Sequence, residues 1–287
     1  MTIKAAPARS GCSVLANNVE LKNLKKKLAS IVIRHHAVDE GLDRLERAFL
    51  RASGGVDFRG VAIVGESGTG KTRLLSHFAN MHPRLRTPQG LEVPVLMLPV
   101  PAKPTPKGLV ETILAELGDP IPEKGTERSK TDRVITLFRA ARVKMLLLDE
   151  FQHFVDQGTD RVQHHVADWL KTLIDRANVA LGISGLLRCL AVMEKNDQLK
   201  RRLQAPVHLP KFDWTDPGDR DEFRSVLAAL QSQMNPLRVP DLSSQEMSFR
   251  NPNREVVDRV NTQNVLSSAD GRSGREWIRN SSADGRS

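Results

Sequence analysis

Eight consecutive residues have the types and spacing of a phosphate-binding loop, with the pattern G-x-x-x-x-G-K-[ST]. They are Gly65, Glu66, Ser67, Gly68, Thr69, Gly70, Lys71 and Thr72. The glycines of such a loop let successive backbone N–H groups point at the α- and β-phosphates of a nucleotide. The lysine reaches the β- and γ-phosphate oxygens, and the threonine hydroxyl is a ligand of Mg²⁺. The pattern therefore predicts a site for ATP and Mg²⁺, with Lys71 also acting in catalysis.

A pair of carboxylates supplies the second set of candidate residues. Asp149 and Glu150 directly follow the apolar run 145–148. Such runs form buried parallel strands, and open parallel sheets bind ligands beyond the carboxyl ends of their strands. We expect Asp149 to hold Mg²⁺ and Glu150 to orient and polarise the attacking water, which makes Glu150 a candidate catalytic residue.

Two further positions have alternative explanations. Ser184 ends the apolar segment 179–184 and is a candidate sensor of the γ-phosphate, although a serine in an ordinary turn from strand to helix explains it equally well. Arg201 and Arg202 follow that segment and precede a last short strand at 206–209. Ring-forming ATPases carry an arginine finger at such a position, whereas composition alone favours a solvated run of charge.

The elements that position these residues alternate between strand and helix. An apolar strand at 61–64 precedes the phosphate-binding loop, and a helix begins at Lys71. The segment 93–100 is predicted to be a strand whose prolines suit a sheet edge or the ends of the strand. Apolar residues at helical spacing predict the remaining helices at 42–50, 108–117, 132–141 and 162–176. The chain is therefore predicted to form an α/β fold around a central parallel sheet.

Three segments together resemble the AAA+ ATPases of DNA transposition, of the TniB/TnsC type. They are the loop 65–72, the motif Leu-Leu-Asp-Glu-Phe-Gln-His at 147–153 and the motif Gln-Leu-Lys-Arg-Arg-Leu at 198–203. The resemblance covers about residues 33–250. It implies a three-layer AAA+ ATPase domain that forms an ATP-dependent homo-oligomer on double-stranded DNA and recruits or activates a DDE-type transposase. It also assigns the arginine finger to Arg202, with Arg201 as the alternative.

The resemblance and the composition divide the chain into four parts. We expect a basic arm and linker at 1–40, an AAA+ core at 41–210, a helical lid at 211–249 and an atypical tail at 250–287. The lid is expected to be incomplete, because family members continue into further helices where this chain becomes polar. The tail carries the heptamer Ser-Ser-Ala-Asp-Gly-Arg-Ser twice, at 267–273 and 281–287, and its composition predicts disorder.

Charge and composition indicate the partners. A net charge of +9 suits a polyanion such as DNA, and the absence of tyrosine disfavours base stacking. Three basic groups are candidates for phosphate contact: the lysines within 22–27, Lys103 with Lys107 in a loop, and Arg128 with Lys130 in the next loop. The sequence has only two cysteines, Cys12 and Cys189, and this low number favours a reducing cytoplasm. No apolar run has membrane-spanning length, so we expect no membrane association.

Three other functions compete with transposition. A σ54-type transcription activator needs a Gly-Ala-Phe-Thr-Gly-Ala insertion, which this sequence lacks. A replication initiator or helicase loader uses the same ATP site and remains an alternative. A catalytically impaired remnant that acts only as a binding module is a third possibility, because the lid is short.

Overall fold

A computed structural model of the protein describes residues 35–52, 60–102, 104–203, 205–213 and 215–234. The chain divides into two compact units, one spanning Arg34–Lys211 and the other including the residues from Phe212 onward. The predicted tail, most of the predicted basic arm and the end of the predicted lid lie outside the described residues.

Five parallel strands form the central sheet of the first unit, in the order β4-β5-β6-β1-β7. The strands are β1 (Gly60–Gly65), β4 (Val95–Pro99), β5 (Met145–Asp149), β6 (Ala180–Gly185) and β7 (Val207–Leu209). All residues of β5 and β6 are buried, since helices cover both faces of the sheet. The predicted α/β architecture with a parallel sheet is confirmed, and β4 lies at the sheet edge as its prolines indicate.

The helices of the first unit surround this sheet. They are α1 (His36–Arg51), α2 (Lys71–Met81), α3 (Pro106–Glu116), α4 (Glu127–Ala140), α5 (His153–Asp156), α6 (Asp160–Ala177), α7 (Leu190–Glu194) and α8 (Asp197–Arg202), with a 3-10 turn at Leu187–Cys189. Thr105, Thr126 and Thr159 cap α3, α4 and α6 by accepting backbone N–H groups. These caps extend each helix N-terminal to its apolar stripe, so all three begin earlier than predicted.

One loop prediction is wrong. Arg128 and Lys130 lie on α4, and the Lys130 side chain is fully buried against Glu111 of α3. Lys130 is therefore unavailable to DNA. Lys107 also lies on a helix, α3, but its side chain remains 61% exposed.

A two-stranded antiparallel hairpin was not predicted. It consists of β2 (Leu85–Thr87) and β3 (Gly90–Glu92), between α2 and β4. Most of its residues are exposed, so it lacks the apolar alternation by which a half-buried strand is recognised.

The described part of the second unit is mainly one helix, α9 (Pro217–Met234). It lies within the predicted helical lid at 211–249. The ring of Phe223 packs on that of Phe212, with centroids 5.3 Å apart, and the side chain of Leu227 is buried. No helix in the described ranges combines the length and apolarity that crossing a bilayer requires.

Candidate functional site

The phosphate-binding loop joins the carboxyl end of β1 to the start of α2. Gly68 and Gly70 have φ angles of +81° and +88°, in the left-handed region that favours glycine. Gly65 is needed for a different reason: a Cβ there would lie 2.3 Å from the carbonyl oxygen of Leu209 on β7. The Thr69 hydroxyl donates to the Glu66 carbonyl 3.0 Å away and closes the turn. The glycine spacing therefore matches what this backbone requires.

Lys71 is buried at the start of α2, inside the loop. Its Nζ donates to the carbonyl oxygens of Gly65 and Glu66, at 3.0 and 2.6 Å. Burial lowers the pKa of Lys71, and the negative charges of Glu150 and Asp149 oppose that shift. The ammonium group is thus held where the loop's N–H groups would receive phosphate.

Asp149 ends β5 and meets the loop directly. Its Oδ2 accepts a hydrogen bond from the Thr72 hydroxyl at 2.6 Å. Its Oδ1 accepts from the Ser184 hydroxyl on β6 and, at 2.9 Å, from the backbone N–H of Glu150. The buried Asp149 carboxylate therefore links α2, β5 and β6 at the carboxyl ends of the strands.

The donor set around Asp149 fits Mg²⁺. Thr72 and Asp149 present adjacent hydroxyl and carboxylate oxygens, and Mg²⁺ prefers oxygen ligands. Within the described residues no group of three or more His, Cys, Asp and Glu side chains is placed to hold a metal. That is compatible with Mg²⁺, which proteins bind through one or two side chains plus substrate phosphates and water.

Glu150 has a backbone conformation that is uncommon for its residue type. Its φ is +56°, a left-handed conformation that costs a non-glycine residue about 1–3 kcal/mol. The turn is held by a hydrogen bond from the Phe151 N–H to the Ser184 carbonyl, 2.9 Å away. The Glu150 carboxylate accepts a hydrogen bond from the Gln152 amide. The strained backbone conformation of Glu150 is thus stabilised by the hydrogen bond between Phe151 and β6.

Ser184 and Arg202 lie in different places. The Ser184 side chain is fully buried and its hydroxyl contacts Asp149, which brings it to the acid pair. Arg202 ends α8 and pairs with Asp175 of α6, with Nη2 and Oδ1 3.0 Å apart, while its Nε is buried without a hydrogen-bond partner in the described structure. Arg201 beside it is exposed. The structure thus groups Ser184 with the loop and the acids, and places Arg202 against α6.

Three residues near the site were not singled out from the sequence. Gln152 contacts Glu150, and the Lys211 ammonium pairs with the Glu66 carboxylate, whose pKa it lowers. Cys189 is buried, and that burial raises the pKa of its thiol to about 12. Gln152 belongs to the motif Asp-Glu-Phe-Gln-His, so its type was visible in the sequence; Lys211 required the pairing of β7 with β1 to be known.

Comparisons with known proteins agree on family and fold. A family model described as bacterial TniB protein matches residues 25–214, more than half of the chain. A comparison with curated protein sequences finds no match.

Three solved structures from Aeropyrum pernix are similar to the chain. The ORC2 protein in its ADP form has a TM-score of 0.63 at 16% identity, covering 88% of this chain and 69% of that one. The ORC1 protein in complex with DNA has a TM-score of 0.56 at 17% identity, and the match covers 86% of this chain and 65% of that one. The ORC2 protein with ADPNP and ADP has a TM-score of 0.52 at 17% identity, and the match covers 71% of this chain and 52% of that one. The chain thus spans 52–69% of these proteins, and the similarity shows the AAA+ fold alone.

Proposed function

Because the chain belongs to the bacterial TniB family, we propose that it is an ATP-dependent regulator of DNA transposition. In this proposal it oligomerises on double-stranded target DNA and recruits or activates a DDE-type transposase. The convergence of Lys71, Thr72, Asp149 and Glu150 at the carboxyl ends of the strands supports the ATP dependence most, and the family match supports the role in transposition.

Each of these residues has a separate task in the proposed ATP hydrolysis. The loop N–H groups and Lys71 bind the phosphates, and Lys71 exchanges its two carbonyl partners for β- and γ-phosphate oxygens. Thr72 and Asp149 would hold Mg²⁺, which offsets phosphate charge when bound. Glu150 orients and polarises the water that attacks the γ-phosphate. Ser184 senses the γ-phosphate through its contact with Asp149.

The proposed oligomer completes the site with a residue from a neighbouring subunit. Arg202 is our candidate for this arginine finger, because the resemblance assigns the finger to it and its guanidinium pairs with Asp175 of α6 rather than with its own phosphate-binding loop. The Asp175 pair holds the guanidinium against α6, so this pair must break for Arg202 to meet a neighbour's γ-phosphate.

DNA binding is proposed to act through the phosphate backbone. A net charge of +9 supports it, and one of the similar Aeropyrum pernix structures, that of ORC1, is a complex with DNA. Lys107 and Arg128 are the exposed candidates among the predicted basic groups that the structure describes. We choose Lys107 for the test because α3 follows the carboxyl end of β4. A replication initiator shares this fold, but the family match favours transposition.

The test measures binding of two unrelated DNA duplexes by fluorescence anisotropy, in a non-hydrolysable ATP analogue and in ADP. We expect tighter binding with the analogue, similar affinity for both duplexes, and a slope of log K against log salt of about −0.9 for each neutralised phosphate. Pull-down of a DDE-type transposase should also depend on the analogue.

Two surface variants locate the DNA contact. Lys107→Ala should make that salt slope shallower by about 0.9. Arg142→Ala is the matched control. The Arg142 side chain is 67% exposed and pairs with Glu92. It lies just before β5, at the amino ends of the strands, whereas α3 follows the carboxyl end of β4. If wild-type protein binds no DNA at low salt, the transposition role is wrong, and the alternative of a catalytically impaired remnant is favoured.

A further inference from the structure

The side chain of Gln152 links the acid pair to the end of β6. Its amide nitrogen donates to Glu150 Oε2, and its amide oxygen accepts a hydrogen bond from the Leu186 N–H, 3.1 Å away. We propose that Gln152 is a positioning residue that fixes the Glu150 carboxylate for its work on the attacking water. This inference rests on the ATPase activity proposed above.

The hydrogen bond leaves one oxygen of Glu150 for the water. With Oε2 engaged by the amide, Oε1 is the oxygen that can accept a proton from water, and rotation of the carboxylate is restricted. The partner is a neutral amide, so it orients the carboxylate without cancelling its charge. A lysine or arginine at this position would pair with Glu150 and weaken it as a base.

The amide oxygen of Gln152 is also closely packed. Gln152 is buried, and Gly185 packs against it so tightly that a Cβ on Gly185 would lie 2.5 Å from the Gln152 Oε1. Leu186 follows β6 directly, and β6 carries the candidate sensor Ser184. A displacement of the end of β6 would therefore move Glu150 through Gln152.

Two substitutions separate the two ends of the amide. Gln152→Glu keeps an oxygen acceptor for the Leu186 N–H but replaces the neutral amide donor by a second acid in contact with Glu150, whereas Gln152→Met keeps the length and removes both hydrogen bonds. In both variants we expect kcat for ATP to fall about tenfold to a hundredfold, because the water is misplaced. KM and the Kd of a non-hydrolysable ATP analogue should stay within about twofold of wild type, since the side-chain hydrogen bonds of Gln152 go to Glu150 and Leu186 and not to the phosphate-binding loop.

Gln163→Met is the matched control. Gln163 lies on α6 and its amide donates to the Gly158 carbonyl, 3.3 Å away, so its removal should leave kcat unchanged. Wild-type kcat in both Gln152 variants would overturn the proposal, and so would an increase, which would mean that the amide restrains Glu150. Equal losses of kcat, nucleotide affinity and Tm would reduce Gln152 to a structural role. If the wild-type protein binds ATP without turnover, the ATPase activity itself is wrong, and the role of Gln152 falls with it.

Discussion

At the residue scale, the buried carboxylate of Asp149 organises the site. It accepts hydrogen bonds from Thr72 on α2, from Ser184 on β6 and from the Glu150 N–H. A single side chain thus sets the spacing between the phosphate-binding loop and the two strands beside it. Loss of this carboxylate would leave the Thr72 hydroxyl and the fully buried Ser184 hydroxyl without their partner.

Cys189 allows a test of how tightly this region is packed. The thiol has a pKa of about 12 in the folded protein, against an ordinary value of 9.0, chiefly because it is buried. Below pH 9 both the folded and the unfolded chain hold the proton. Above it the unfolded chain loses a proton that the folded chain keeps, so the free energy of unfolding falls by up to about 1.4 kcal/mol per pH unit.

Urea unfolding of wild type and Cys189→Ala at about pH 8 and pH 10 measures this contribution. We expect the alkaline loss of stability to be smaller in the variant, because it lacks the ionising group. If the two proteins lose the same free energy between these pH values, Cys189 is accessible to water and the packing around it is looser than described.

At the element scale, the sequence predicts the buried strands of the parallel sheet better than it predicts helix starts. The residues 145–148 form a continuous apolar run because helices cover both faces of β5, so burial and pattern coincide. The first turns of α3, α4 and α6 are fixed by threonine caps and carry few apolar residues, so periodicity alone begins those helices late. The contact of Gln152 with Glu150 depends on a left-handed turn at Glu150, which the residue type does not indicate.

The packing of α3 on α4 depends on a buried ion pair. Lys130 is fully buried and contacts Glu111, whose side chain is 26% exposed. Glu111→Leu should lower the free energy of unfolding by about 3 kcal/mol, because it leaves the Lys130 charge buried without its partner. Chemical denaturation measures this, and adding Lys130→Met should recover much of the loss.

Glu116→Leu on the same helix is the control. Glu116 pairs with Arg84, and both side chains are more than a third exposed, so its loss should cost less than about 1 kcal/mol. Equal effects of the two single substitutions would show that the buried charge of Lys130 does not stabilise this interface.

At the scale of the whole molecule, the proposed oligomer predicts complementation between defective subunits. Arg202→Ala keeps the nucleotide site and lacks the finger, whereas Glu150→Gln binds ATP and keeps the finger but does not hydrolyse. Arg202→Ala alone should turn over ATP slowly and Glu150→Gln alone should not turn it over. A mixture should recover activity at interfaces that combine the intact site with the intact finger. Turnover measured across mixing ratios gives the answer.

Arg201→Ala serves as the control for that experiment. Arg201 is exposed beside Arg202, and its removal should leave turnover unchanged. If mixing restores nothing and Arg201→Ala is as inactive as Arg202→Ala, the finger has been assigned to the wrong residue.

ATP affinity and ATP turnover, measured together on wild type, Lys71→Ala and Glu150→Gln, test the central claim most directly. We predict that wild type binds and hydrolyses ATP. Lys71→Ala should bind about tenfold to a hundredfold more weakly, as expected for losing a charged hydrogen-bond donor. Glu150→Gln should bind like wild type without turnover, and Lys211→Ala, at the rim of the loop, should bind within about twofold of wild type because its ion pair is exposed. Equal ATP affinity in wild type and Lys71→Ala would contradict the assignment of the site.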